Sequence, residues 1–528
     1  MKLAQEKMLD EIELDSKEPR TNSAIPDHEI VVVGSGISGL GVAIELKRRG
    51  IESFIILERA QDVGGTWRDN RYPGVAVDIP SLVYSFSFEQ NPNWSRVYAP
   101  GDELQNYSRR LASKYGIYPK IRFGVSVEDA EFDEVRNLWK LRTDSGLITA
   151  RHLVAASGGL VTPKLPEING LEGFKGKVMH SAQWDESYDL AGKRVAVIGT
   201  GASAVQLIPK IAPDVEHLDV YQRTPIWVLK KPDGKIPAVV RTAFRWFGGL
   251  QNTARVTGNA MMEAALIIST VYYKRAPWLV RFFEGVGRKN LEEQLPDHPE
   301  LREKLMPKYG FGCKRPTFSN DYFSTFTRDN VELVTTSIES VSPTGIRTAD
   351  GEERDIDVLI LATGFKLFDK DNLPTFKVRG REGEVLGEFW DENRYQAYEG
   401  MTIPGYPNFY IMLGPYALVG SSYFVMVEGN ATHLARLVQT ARERDATCVE
   451  VRQDAHDRYF ENVQQRQKNT VFFNNNCSAA SSYYFDKHGD APLVRPSTSV
   501  EMLLRANFLP MKHYRFKRTP AAALAKQV

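Results

Sequence analysis

The chain has 528 residues with 67 Lys+Arg against 66 Asp+Glu, a net charge of +1, which gives no electrostatic reason to expect nucleic acid as a partner. With 42% hydrophobic and 25% charged residues it has the composition of a soluble globular protein, and it is too long for one compact core, so two or more domains are expected. Its three cysteines, Cys313, Cys448 and Cys477, lie far apart; their spacing predicts no disulfide framework, zinc site or thioredoxin-like pair, and fits a reducing compartment.

Residues 1–27 are rich in Glu, Asp, Lys and Ser without an apolar run, and read as a solvated extension rather than a secretory signal. Structure begins with Ile30-Val31-Val32-Val33, the mark of a strand buried on both faces. It enters Gly34-Ser35-Gly36-Ile37-Ser38-Gly39, a helical pattern runs to Arg49, and a second strand over 53–57 closes on Glu58. This is a βαβ unit. The same grammar returns at Arg194–Ile198, followed by Gly199-Thr200-Gly201-Ala202-Ser203-Ala204, a helix to about Ile211 and a strand over 217–222. Each unit has a late strand ending in small residues, 153–158 and 358–364, and a further strand at 408–413 stops at Gly414-Pro415. The fold class is therefore α/β, with two Rossmann-like domains, the second inserted in the first. The chain crosses over at 163–166 and returns just after Gly364.

Residues 230–307 turn helical and strand-poor, an excursion from the second domain. The stretch 260–273 contains Glu263 and Ser269 and falls short of the ~20 apolar residues of a membrane span; a packed helix is expected there rather than one lying on a membrane. The basic tail 512–518 reads as a solvated surface. The protein is expected in the cytoplasm, without stable membrane insertion. The sequence assigns no oligomeric state.

A lone GxGxxG is weak, but both fingers sit where a buried strand hands over to a helix, where backbone N–H groups and the helix dipole favour a pyrophosphate. The ends of the next strands say more. Glu58 lies 24 residues after Gly34, and Arg223 lies 24 after Gly199, so both side chains fall beside an adenosine ribose. A carboxylate there accepts from the 2′-hydroxyl and repels a 2′-phosphate; a guanidinium attracts that phosphate. The first finger thus predicts FAD or NAD, the second NADP, with Thr224 adding a hydroxyl donor. The run Gly64-Gly65-Thr66-Trp67 suits a backbone lying along an extended cofactor.

Between the fingers stands Phe174-Lys175-Gly176-Lys177-Val178-Met179-His180-Ser181-Ala182-Gln183-Trp184-Asp185. It resembles the FxGxxxHxxxW fingerprint, followed by Pro or Asp, of the type I (class B flavoprotein) Baeyer–Villiger monooxygenases. Both fingers, Gly64-Gly65-Thr66-Trp67, Arg71-Tyr72-Pro73-Gly74, Lys314-Arg315 and Ala362-Thr363-Gly364-Phe365 follow the family's order; the N-terminal extension lies outside the match and the C-terminal third matches loosely. The resemblance implies an FAD enzyme that uses NADPH and O2 to convert ketones to esters or lactones through a C4a-peroxyflavin. The partners are then a small-molecule ketone and O2. It implies an FAD-binding domain over 28–163 and 386–528, an NADPH-binding domain over 164–229 and 308–385, and a helical subdomain over 230–307.

The resemblance also implies site residues. An attacking peroxide anion needs a permanent cation beside it, which a guanidinium supplies; Arg315 occupies the family's catalytic arginine position and Asp78 that of the carboxylate accompanying it. Gly34, Gly36, Ser38, Gly39, Glu58, Gly65, Thr66, Trp67, Asp78, Tyr84 and Val127 fall on the FAD side, with Tyr72 and Tyr84 lining or supporting the flavin. Gly199, Thr200, Gly201, Ala202, Ser203, Arg223, Thr224 and Lys314 fall on the NADP side. His180 is expected to anchor a moving linker rather than do chemistry, and no metal is implied. Residues 416–423 and 474–495 are expected to border the pocket. Three rivals compete: a monooxygenase acting on sulfur or nitrogen, a non-catalytic flavin/NADPH redox sensor, and a disulfide reductase. The last needs a close cysteine pair by the flavin, and the sequence offers none.

Overall fold

The computed structural model describes residues 25–518 apart from 371, 421, 479 and 481; most of the expected extension lies outside the described residues. Two sheets carry the architecture. The first begins with β1 (His28–Val33), β2 (Phe54–Glu58), β3 (Ile121–Phe123), β4 (Val127–Asp133), β5 (Leu138–Thr143) and β6 (Gly146–Ala155). The second is built from β7 (Lys177–His180), β8 (Arg194–Ile198), β9 (His217–Tyr221), β10 (Val331–Val334) and β11 (Val358–Leu361). The chain then returns to the first sheet with β12 (Lys377–Arg379) and β13 (Phe409–Ile411).

The first sheet runs β12-β4-β5-β6-β1-β2-β3, with β13 also on β6. Ile30, Val31 and Val32 are wholly buried because β1 is flanked by parallel β2 and β6 and covered on both faces. The second sheet runs β10-β9-β8-β11-β7, parallel throughout. The inserted arrangement of two doubly wound units is thus present. One boundary shifts. Val378 of β12 pairs with Ala130 of β4, so the chain has rejoined the first sheet by residue 377, before the expected division at 385/386. Lys377-Val378-Arg379 has one apolar side chain, and no periodicity marks it as a strand.

The crossing segments are tied to each other. Lys164 N–H donates to the Gly364 carbonyl at 2.9 Å, Lys366 N–H to the Thr162 carbonyl at 2.9 Å, and Thr363 Oγ1 to the Lys164 carbonyl at 2.5 Å. A two-stranded hinge therefore joins the units.

Helices open each finger: α1 (Ile37–Arg48) follows β1, and α2 (Ala202–Ile211) follows β8. The excursion forms α3 (Ala238–Trp246), α4 (Gly248–Thr270) and α5 (Pro277–Gln294). Although it departs from the second unit, α4 docks on the first. Gln251 donates to the Asn91 carbonyl at 2.9 Å, buried Arg255 to the Ser85 carbonyl at 3.1 Å, and Glu263 accepts from Ser499 Oγ at 2.7 Å. The expected packed helix is present, and no helix among the described residues is long and apolar enough to cross a membrane. The basic tail is partly structural: Tyr514–Lys517 pairs antiparallel with Cys448–Val451.

Candidate active site

The two fingers are built alike. Gly34 N–H donates to the Leu57 carbonyl and Gly199 N–H to that of Tyr221. Both turn at positive φ, 104° and 113°, and a Cβ would meet the Ala156 carbonyl oxygen at 2.6 Å or that of Ala362 at 2.5 Å. Only glycine satisfies both conditions. Helices α1 and α2 start on Gly36 and Gly201 with no side-chain cap and no acid in the first turn, which leaves their first N–H groups suited to an anion. Ser203 and Ala202 open α2, and Thr200 Oγ1 donates to the Thr224 carbonyl at 2.9 Å. That bond joins the finger to the end of β9.

Glu58 sits at the end of β2, buried. Its Oε2 accepts from Ser35 N and Oγ, each at 2.8 Å, and its Oε1 from Ala60 N at 2.9 Å and Arg68 NH1 at 3.1 Å. Burial works against ionisation, but these donors and the Arg68 charge outweigh it and hold the carboxyl below its ordinary value. It stays a carboxylate. Arg68, one turn past Gly65, had no sequence signal beyond its charge. Val127 opens β4 two residues after Val125, whose N–H donates to the Glu58 carbonyl at 3.0 Å. Gly65 crosses against Gly36: a Cβ on it would lie 3.0 Å from the Gly36 Cα.

Around the first finger stands a polar and aromatic cluster. Thr66 begins the short helix Thr66–Asp69, and Trp67 meets Tyr84 edge-on at 5.7 Å. Ser38 Oγ and the Tyr423 hydroxyl lie 2.7 Å apart. Arg315 donates to both oxygens of Asp78, Nε to Oδ2 at 2.6 Å and NH2 to Oδ1 at 2.8 Å. The Arg315 side chain is about a third exposed (37%), and the Asp78 charge lifts its proton affinity further above the ordinary arginine value. Tyr84, raised above the ordinary tyrosine value first by burial, also feels Asp78, Tyr423 and Arg315. Tyr484 lies close enough to Arg315 to feel its charge, and its ring lies 4.9 Å from that of Tyr483. The two segments expected to border the pocket are laced together: Tyr416 N–H donates to the Pro492 carbonyl at 2.5 Å and Arg495 N–H to the Leu418 carbonyl at 2.8 Å.

Beside the second finger, Arg223 is exposed and Lys314 half-buried. Among the described residues neither has a carboxylate partner. Burial, then the like charge of Arg223, brings the Lys314 ammonium down to about 8. Two close, uncompensated cations at the end of β9 are suited to a phosphate.

Tyr72 stands within range of the Asp78 charge. It packs in the second unit's core and donates to Gln206 Oε1 of α2 at 3.0 Å, while Gln206 Nε2 donates to the Ala76 carbonyl at 3.0 Å; residues 72–76 pin one unit to the other. Cys313 and Cys477 are disulfide-bonded across 164 residues, so the expected absence of a disulfide is wrong; spacing shows only pairs close in sequence. Their sulfurs lie within an apolar cluster with Trp227, Tyr309 and Phe311, while buried Cys448 stays free, its thiol pushed up to about 11 by burial. The fingerprint residues sit in the second unit. Phe174 is in the second unit's core, Gly176 is pressed against the Asp357 carbonyl, Trp184 packs beside α2's core, and Asp185 accepts from Lys177 at 2.5 Å. His180 is buried beneath the hinge, its Nδ1 accepting from Ala182 N–H at 3.1 Å and its ring edge-on to Phe365 at 5.9 Å. Burial lowers its basicity, with the Gly364 backbone opposing.

One His/Asp/Glu group among the described residues, His217, Asp219 and Glu332, is close enough to share a cation. Arg354 already takes that place, 2.8 Å from Glu332 and 3.8 Å from Asp219.

Residues 31–246 match the family described as pyridine nucleotide-disulphide oxidoreductase, a stretch that contains no cysteine. A Baeyer–Villiger monooxygenase of Pseudomonas aeruginosa is 36% identical over 509 residues, covering 96% of this chain and 95% of its own. The crystal structure of OTEMO in complex with FAD and NADP is 27% identical with a TM-score of 0.80, and that of cyclohexanone monooxygenase from Rhodococcus sp. Phi1 bound to NADP+ is 25% identical with a TM-score of 0.81; each covers 93% of this chain and 99% of its own.

Proposed function

Since the chain belongs to the Baeyer–Villiger monooxygenase family, we propose that its first finger holds FAD, its second NADPH, and that it converts a ketone to an ester or lactone. The residues fit these groups: two uncapped helix starts for two pyrophosphates, a carboxylate at the end of β2 and two cations at the end of β9. Glu58 would meet a ribose hydroxyl by yielding one of its four donors. When bound, FAD reduced by NADPH activates O2 and supplies the oxygen to be inserted.

The observation that carries the reading is the Arg315–Asp78 pair. Negative charge develops on the carbonyl oxygen of a ketone as it is attacked, and a guanidinium that does not lose its proton stabilises that charge. Asp78 fixes the fork by two bonds and so orients it; Tyr84, Tyr423 and Tyr484 surround the same space and limit water. The hinge above His180 lets the second unit reposition, while the pin at Gln206 keeps it from separating.

Arg315→Ala tests this. Flavin reduction by NADPH should persist while ester or lactone formation across a graded ketone panel falls by about 10²-fold or more. Product formation at the original rate would overturn the assignment.

A further inference from the structure

The inner side of α4 is spent on the first unit; its outer side is not. Leu250, Thr253, Val256, Thr257, Met261 and Ile268 are all exposed, and this face carries no charged residue. Trp246 (79% exposed) and Phe247 (67%) stand at its start, and Trp278 (60%) and Phe282 (58%) stand at the start of α5, beyond its end. Isolated exposed apolar side chains are ordinary, but a run along 23 helical residues, roughly 35 Å, with aromatics at both ends marks an interaction surface.

Charge selects the partner. Between residues 234 and 283 there are seven Lys/Arg, one of them, Arg255, buried on the first unit, and a single acid, Glu263, which is engaged by Ser499. Lys235 lies exposed at one end, together with Arg245, which donates to Asn93 Oδ1 at 2.7 Å, and Lys274, Arg275 and Arg281 lie exposed at the other; among the described residues none of these has a carboxylate partner. The chain as a whole is nearly neutral, so this face holds an excess that the remainder offsets. A second copy would set positive ends against positive ends in any two-fold pairing. An apolar strip with a cationic rim and interfacial tryptophans suits a flat anionic surface with an apolar interior.

We propose that the outer face of α3, α4 and the start of α5 docks the protein on an anionic lipid bilayer, lying along it without crossing. The test is co-sedimentation of the flavin-loaded full chain with vesicles of phosphatidylcholine alone or with phosphatidylglycerol. Binding is expected to the phosphatidylglycerol vesicles and to weaken with salt. Trp246→Ser with Phe247→Ser should lower the partition coefficient about tenfold or more, and Arg275→Glu with Arg281→Glu should abolish the preference for phosphatidylglycerol. Unchanged flavin content and thermal midpoint show that the variants fold. No association at low salt, or binding that neither variant alters, overturns the proposal. Self-association removed by Trp246→Ser with Phe247→Ser, without vesicle binding, assigns the face to a second copy and overturns it too.

Discussion

At the scale of single residues, Lys314 offers the sharpest consequence. Its ammonium is charged below about 8 and neutral above, because burial and Arg223 both disfavour the charge. Below that pH two cations would face a 2′-phosphate; above it only Arg223 would remain. The KM for NADPH should therefore rise as pH passes from about 7 to about 9, while the KM for NADH, which has no such phosphate, stays level. Lys314→Arg keeps a charge throughout and should flatten the rise; a rise of the same size in Lys314→Ala would refute the role. Sequence reading reached Arg223 by its offset from Gly199, a local measure. Arg68 and Gln206 escaped it because their importance depends on what lies opposite: Arg68 on Glu58, and Gln206 on Tyr72, 134 residues earlier in the chain.

At the scale of elements, the two fingers were legible because strand, turn and helix are contiguous, and the backbone approach that demands glycine is set within about forty residues. The short strand β12 and the disulfide were not, since each exists only through a distant partner, Asp133's strand in one case and Cys477 in the other. The fingers also separate folding from binding. A Cβ on Gly39 would fall 1.9 Å from the Gly34 carbonyl oxygen, whereas one on Gly201 meets no protein atom within 4 Å. Gly39→Ala must push α1 off its turn, an overpacking cost of about 1–3 kcal/mol, and should lower the thermal midpoint and the flavin content together. Gly201→Ala should unfold at the wild-type midpoint with full flavin, yet raise the KM for NADPH, because the methyl would enter the space a pyrophosphate needs. Wild-type NADPH kinetics in Gly201→Ala would show that this helix start does not hold the phosphates.

Across the whole molecule, stability against acid rests on buried titratable groups, among them two histidines of the first unit. His152, on β6, and His433, on the helix Tyr423–Glu443, are each 3% exposed. The His152 ring Nδ1 lies 3.3 Å from the Tyr410 hydroxyl, and His433 Nε2 lies 3.1 Å from that of Tyr514. Burial lowers both to about 4 from the ordinary 6.5. Such groups contribute stability that is fully present above 6.5 and is lost as pH falls toward 4, because the unfolded chain takes up the protons first. A depression of this size corresponds to about 3 kcal/mol per histidine. Glu399, buried with Arg495 and Arg505 and held down at about 2, acts in a separate window, losing its contribution only below about 4.5. Urea unfolding followed by flavin release should therefore weaken in two steps, the first between pH 6.5 and 4. His433→Gln, which cannot protonate there, should shrink that first step whatever its effect at neutral pH. A midpoint that stays level from pH 6.5 to 4, or a step that survives intact in His433→Gln, would place the acid-labile groups elsewhere.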